Sequence, residues 1–209
     1  MTGGEVEDRG AVDGLDLSTE RLEAFSDGVM AVIITLMAFE LKVPSSATFD
    51  ALRHELPSLL VYVLSFANIG IYWNNHHHLL RLTPKISPAV MWSNLNLLLW
   101  LSLIPVLTGW VGQQYRHSLP AAAYGVAALM AAISYSLLVR AIIRANVGSL
   151  VAQAIGDDRK GFASIGFYAA GVALSAVTPY AAYGLYVTVA VMWFIPDRRL
   201  SGGTPRAGA

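Results

Sequence analysis

The sequence predicts an all-α integral membrane protein with six transmembrane helices, and three observations lead there. Apolar residues fill 55% of its 209 positions and charged residues only 13%, about half the charged share of a soluble domain. Six apolar stretches, at approximately 21–42, 57–80, 88–113, 119–143, 161–178 and 180–196, are of the length that a hydrocarbon core of about 30 Å demands. Of the 14 Lys and Arg residues, only Lys42, Arg53 and Arg116 fall on the side of the first, third and fifth loops. The rest lie with both termini, which the positive-inside rule makes cytoplasmic.

The first twenty residues are acidic and lack the basic start of a signal peptide, so they read as a disordered cytoplasmic arm, 1–20. The membrane domain is then 21–196, and the tail 197–209, with its SGGTPRAGA ending, reads as a second disordered segment. The span RLEAFSDGVMAVIITLMAFELKVP, 21–44, opens it and closes at Pro44-Ser45-Ser46. Segment 45–56, with Asp50, Arg53 and Glu55, has room for a short extracellular helical turn before the second span. Thr83-Pro84 through Pro88 separates the second and third spans, and Pro105 is expected to kink the third. Pro120 opens the fourth, Asp157-Asp158-Arg159-Lys160 precedes the fifth, and Thr178-Pro179 turns into the sixth. The fifth is rich in Gly, Ala and Ser, which lets helices approach closely, chiefly inside the protomer.

Composition removes several function classes. The chain has no cysteine, so disulfides, thiolate metal sites and cysteine nucleophiles are excluded. Net charge is zero and no basic stripe marks a nucleic-acid partner. No serine sits in a paired acid–base pattern, so an enzyme is not expected. No span carries arginine at every third position, and neither TPYAAYG (178–184) nor SIGFYAAG (164–171) is a backbone-carbonyl ion filter.

What remains is polar chemistry inside membrane helices. Asp27 lies near the head of the first span, where an acid needs a partner or a task. The second span ends in Tyr72-Trp73-Asn74-Asn75-His76-His77-His78, with Arg81 beyond. Three consecutive imidazoles point in three directions, about 100° apart, so they cannot meet on one metal ion, and no metal site is expected. One histidine faces inward while its neighbours reach the interface; Trp73 and His77 share a face at i, i+4. Asn94 near the start of the third span needs a hydrogen-bond partner. Arg21, Ser26, Asp27, His77 and Asn94 fall at one depth and are expected to form a network. It serves either as a static clamp on helix angles or as a gating device.

The motif Arg21-x-x-x-Phe25-Ser26-Asp27-Gly28 with its following apolar run resembles the signature of the transmembrane protein 175 family of potassium channels. Tyr72-Trp73-x-x-His76-His77 and the third span from Asn94 to Pro105 are similar to that family's second and third helices. The resemblance covers the chain as one six-helix repeat, the bacterial arrangement. It implies a homotetramer in the bacterial inner membrane, with a central pore lined by the first helix and potassium as the permeant ion rather than a cofactor. It also implies a filter of side chains: Val32, Leu36 and Phe39 toward the pore, with Thr35 beside them as a hydroxyl ring. Valine and phenylalanine stand where the family commonly has isoleucine or leucine. The competing reading is a secondary transporter coupled to protons or cations through Asp27 and His77, although no internal repeat or broken mid-membrane helix marks one.

Overall fold

A computed structural model describes residues 4–148 and 159–194, with side chains from residue 19 onward. The described residues form seven helices and no strand. They are α1 (Gly4–Phe39), α2 (Phe49–Arg81), α3 (Pro88–Ser102), α4 (Ile104–Gln114), α5 (Ser118–Ala145), α6 (Arg159–Ser175) and α7 (Pro179–Phe194). Four stretches are long and apolar enough to cross a membrane: Thr19–Phe39, Phe49–Arg81, Pro88–Gln114 and Ser118–Ala145. The two remaining helices, of 17 and 16 residues, pack as an antiparallel pair after them.

Three boundaries differ from the sequence reading. Helix α1 begins at Gly4, so the segment expected to be a disordered arm is helical over most of its length. Once the apolar span has nucleated a helix, extending it costs little. Helix α2 starts at Phe49, absorbing most of the expected extracellular turn and carrying Pro57 inside it. Thr48 caps this start, its hydroxyl accepting from the Ala51 amide at 3.3 Å. The third span is two helices, since Pro105 stands in the first turn of α4 and the ladder breaks at Leu103. The tail 197–209 lies outside the described residues.

Helix α5 is the hub, packed against α3, α4, α6 and α7, while α1 lies against α2, α3 and α4. In the apolar 18-residue stretch of each span, half is buried inside the chain for α3–α4 and for α5 (50% each), against 22% for α1 and 17% for α2. The first two helices therefore stand at the margin of the protomer with much of their apolar surface uncovered. Close approach at the hub depends on two glycines. A methyl group at Gly125 of α5 would run into the Tyr186 hydroxyl and ring, and one at Gly171 of α6 into the same ring. Tyr186 thus fills the seam among α5, α6 and α7, its hydroxyl donating to the Ala121 carbonyl at 3.2 Å. Of the small residues in the fifth apolar stretch, Gly161, Ser164, Gly171 and Ser175 are buried inside the protomer, whereas Gly166, Ala169, Ala170, Ala173 and Ala176 are exposed. A hydroxyl chain ties the other side: Thr108 donates to Ser65 at 2.8 Å, and Ser65 meets the Tyr124 hydroxyl at 3.1 Å.

Candidate functional site

Polar side chains of α1, α2 and α3 meet in two adjoining clusters, and the loop joining α2 to α3 holds these helices in register. Thr19 donates to the Thr83 carbonyl at 3.3 Å, fixing α1 to that loop. Ser87 caps α3, accepting from the Val90 amide at 3.3 Å, and Pro88 occupies its first turn. These anchors set the depth of Asn94, less than two turns further on.

The first cluster is fully buried and directional. His76 Nε2 lies 2.7 Å from Asn94 Oδ1. Because a carbonyl oxygen can only accept, Nε2 carries the proton. The Asn94 amide donates to Ser26 Oγ at 2.9 Å, and Ser26 donates to the Leu22 carbonyl at 2.8 Å. The relay runs from α2 through α3 to α1. His76, Asn94 and Ser26 are all 0% exposed. In an apolar setting such a chain is costly to break, since the buried polar atoms left behind lose a partner they cannot replace.

The second cluster is half-buried and charged. His77 Nδ1 lies 2.7 Å from Glu23 Oε1 and 4.0 Å from Asp27 Oδ2. Glu23 and Asp27 share a face of α1 at i, i+4. Trp73 stacks on the His77 ring at 5.8 Å with 26° between planes, holding the imidazole toward the acids. Asp27 Oδ1 is buried and has no hydrogen-bond partner among the described residues. His78 turns away, its Nδ1 2.7 Å from the Asn74 carbonyl one turn back.

The expected network is thus divided. Ser26 and Asn94 bond each other directly, and Asn94 links them to His76, the histidine that faces inward, while Asp27, Trp73 and His77 assemble beside them around Glu23. Arg21 and Phe25 sit on the exposed side of α1, and among the described residues no hydrogen bond or ion pair joins them to either cluster. Sequence reasoning passed over His76 and Glu23, although both left a signal. The buried residues of α2 include Ser65, Asn68, Ile69, His76 and Leu79, a helical stripe in which His76 lies about three turns after Ser65. Glu23 is simply the residue one turn before Asp27.

Around the rest of α1 the two faces differ sharply. Met30, Ile33 and Met37 are buried in the core, while Val32, Leu36 and Phe39 are 56%, 48% and 80% exposed. Thr35 lies with the exposed set, its hydroxyl donating to the Ala31 carbonyl at 2.9 Å. The four residues predicted to act together share one uncovered face.

Comparison with known proteins bears on both regions. A family model described as endosomal/lysosomal potassium channel TMEM175 matches residues 21–105, which include both clusters. A protein named a potassium channel in Chryseobacterium sp. (strain P1-3) is 47% identical over 181 residues, covering 86% of this chain and 94% of the relative. The chain belongs to the TMEM175 family. A Streptomyces collinus member, also named a potassium channel, is 35% identical over 126 residues, covering 56% of the chain and 61% of the relative. The crystal structure of a lysosomal potassium-selective channel TMEM175 homolog from Chamaesiphon minutus superposes with a TM-score of 0.70 at 27% identity. It covers 87% of this chain and 98% of that one. The human TMEM175, named an endosomal/lysosomal proton channel, is 37% identical over 86 residues, and the match spans only 17% of its length.

Proposed function

We propose that this TMEM175-family chain forms a potassium-preferring cation channel. It conducts passively through a pore that α1 lines at the centre of a homotetramer. Its setting is the bacterial inner membrane, with six spans per protomer and both termini cytoplasmic. One observation carries this reading: the exposed face of α1 at Val32, Thr35, Leu36 and Phe39, opposite the core-facing Met30, Ile33 and Met37. Four such faces meeting on an axis would make rings of valine, leucine and phenylalanine with a hydroxyl layer between them.

Apolar rings close a pore by dewetting, because a narrow hydrophobic neck holds neither water nor ions. Rotation or tilt of α1 widens the neck. Potassium gives up its water at lower cost than sodium, so an apolar bottleneck favours it. The Thr35 proton is engaged with the Ala31 carbonyl, which leaves the oxygen lone pairs free to face a partly dehydrated cation. The polar clusters hold the other end of the same helix, where they bias its position. A coupled transporter acting through Asp27 and His77 draws no support from relatives named as channels.

The test is planar-bilayer recording of purified protein under a potassium/sodium bi-ionic gradient, with Val32, Leu36 and Phe39 each changed to alanine. A cation current reversing toward the potassium potential, with selectivity altered by those changes, supports the reading. A folded, reconstituted tetramer that passes no current overturns it.

A further inference from the structure

We propose that Glu23, Asp27 and His77 bind a divalent first-row transition ion such as zinc, which bridges α1 to α2. One ligand atom from each residue lies within 4.8 Å of the other two, with two donors on one helix and the third on its neighbour. The donors are one imidazole nitrogen and two carboxylate oxygens, a set that suits zinc or cobalt and suits magnesium or calcium poorly. Tetrahedral metal–ligand bonds of about 2.0–2.2 Å put donor atoms roughly 3.3–3.6 Å apart. The His77–Glu23 pair at 2.7 Å therefore opens, and the wider pairs, all within 4.8 Å, close by about 1.5 Å at most. The Glu23 and Asp27 side chains, 19% and 33% exposed, have the freedom to do so.

Two further features support a cation. Asp27 Oδ1 is buried and unpartnered, so the site holds more negative charge than His77 can answer, in surroundings where an uncompensated carboxylate is costly. Trp73 stacked on His77 fixes the imidazole plane before any ion arrives. The three consecutive histidines cannot converge, but the tertiary structure brings one of them to two acids that the sequence does not mark as its partners. Bound metal would pin the head of the α1 span to the end of α2. The site stands on its own donors and does not depend on the conduction reading.

The experiment titrates zinc into the metal-free, untagged full chain in detergent by calorimetry, with cobalt absorption spectra as a second readout. We expect one ion per chain and a cobalt spectrum characteristic of low-coordinate nitrogen–oxygen ligation. Binding should weaken at least about tenfold in Glu23→Gln and in His77→Gln, stay unchanged in His78→Gln, and persist in excess magnesium. Should His77→Gln fail to fold, Glu23→Gln carries the test, because its carboxylate reaches the surface. No uptake of either metal, or equal uptake by all the variants, overturns the proposal and leaves an ion pair only.

Discussion

His76 and Asn94, eighteen residues apart on α2 and α3, meet in a buried hydrogen bond of 2.7 Å. Through Ser26 it reaches the backbone of the first helix. The relay thereby ties the two marginal helices, α1 and α2, to the better-buried α3.

Asn94→Ala removes the middle of this relay, leaves His76 Nε2 buried without a partner and leaves Ser26 with only its bond to the Leu22 carbonyl. The expected loss is about 1–3 kcal/mol of stability, read as a lowered Tm of the solubilised protein. Ser26→Ala removes only one end and should cost less. Equal stability of Asn94→Ala and the parent would show that the relay does not hold α1.

The two faces of α1 should separate stability from conduction. Met37→Ala and Ile33→Ala cut into the core and are expected to cost about 2–5 kcal/mol each. Leu36→Ala and Phe39→Ala fall on the exposed face, so their main effect belongs to current and selectivity. Thermal melts and bilayer recordings of the same four variants check the division. Large destabilisation from Leu36→Ala with unaltered current would contradict it.

Gly125→Ala and Gly171→Ala reverse the usual sign of a glycine-to-alanine change. In an unencumbered helix the substitution stabilises by roughly 0.5–1 kcal/mol. At these two positions the methyl meets Tyr186, and overpacking should instead cost about 1–3 kcal/mol. Gly166→Ala, with nothing near its added carbon, serves as the reference and should be neutral or slightly stabilising. Melting curves of the three variants decide it.

Asp27→Asn keeps the shape of the charged cluster and removes one of its charges. If the cluster biases the position of α1, single-channel open probability shifts while the reversal potential stays put. An unchanged open probability takes the cluster out of gating and leaves it as a clamp.

Much of the candidate site was legible in the sequence. Asp27 inside an apolar span, the Trp73–His77 pair and Asn94 near a helix start all stand out because polar groups in such segments need partners. Helical spacing alone places Val32, Leu36 and Phe39 on one side of α1. It could not say which side faces outward, since nearly every position of that span is apolar. The choice between His76 and His77 was likewise out of reach of local spacing. Adjacent imidazoles differ by about 100°, and only the packing of α2 on α1 and α3 selects which one is buried.

By itself, the sequence determined the class of this protein: membrane helices, their order and approximate bounds, and the residues that carry unusual chemistry. These follow from composition and hydropathy, which act locally and are read off consecutive residues. The tertiary structure decided the pairings. It joined His76 to Asn94 and Ser26, gathered Glu23 and Asp27 around His77, and left one face of α1 without cover. Such pairings depend on how helices rotate about their own axes when packed, and that rotation is set by shape at distant seams such as Tyr186 against Gly125 and Gly171. An apolar span looks alike from every side until its neighbours are in place.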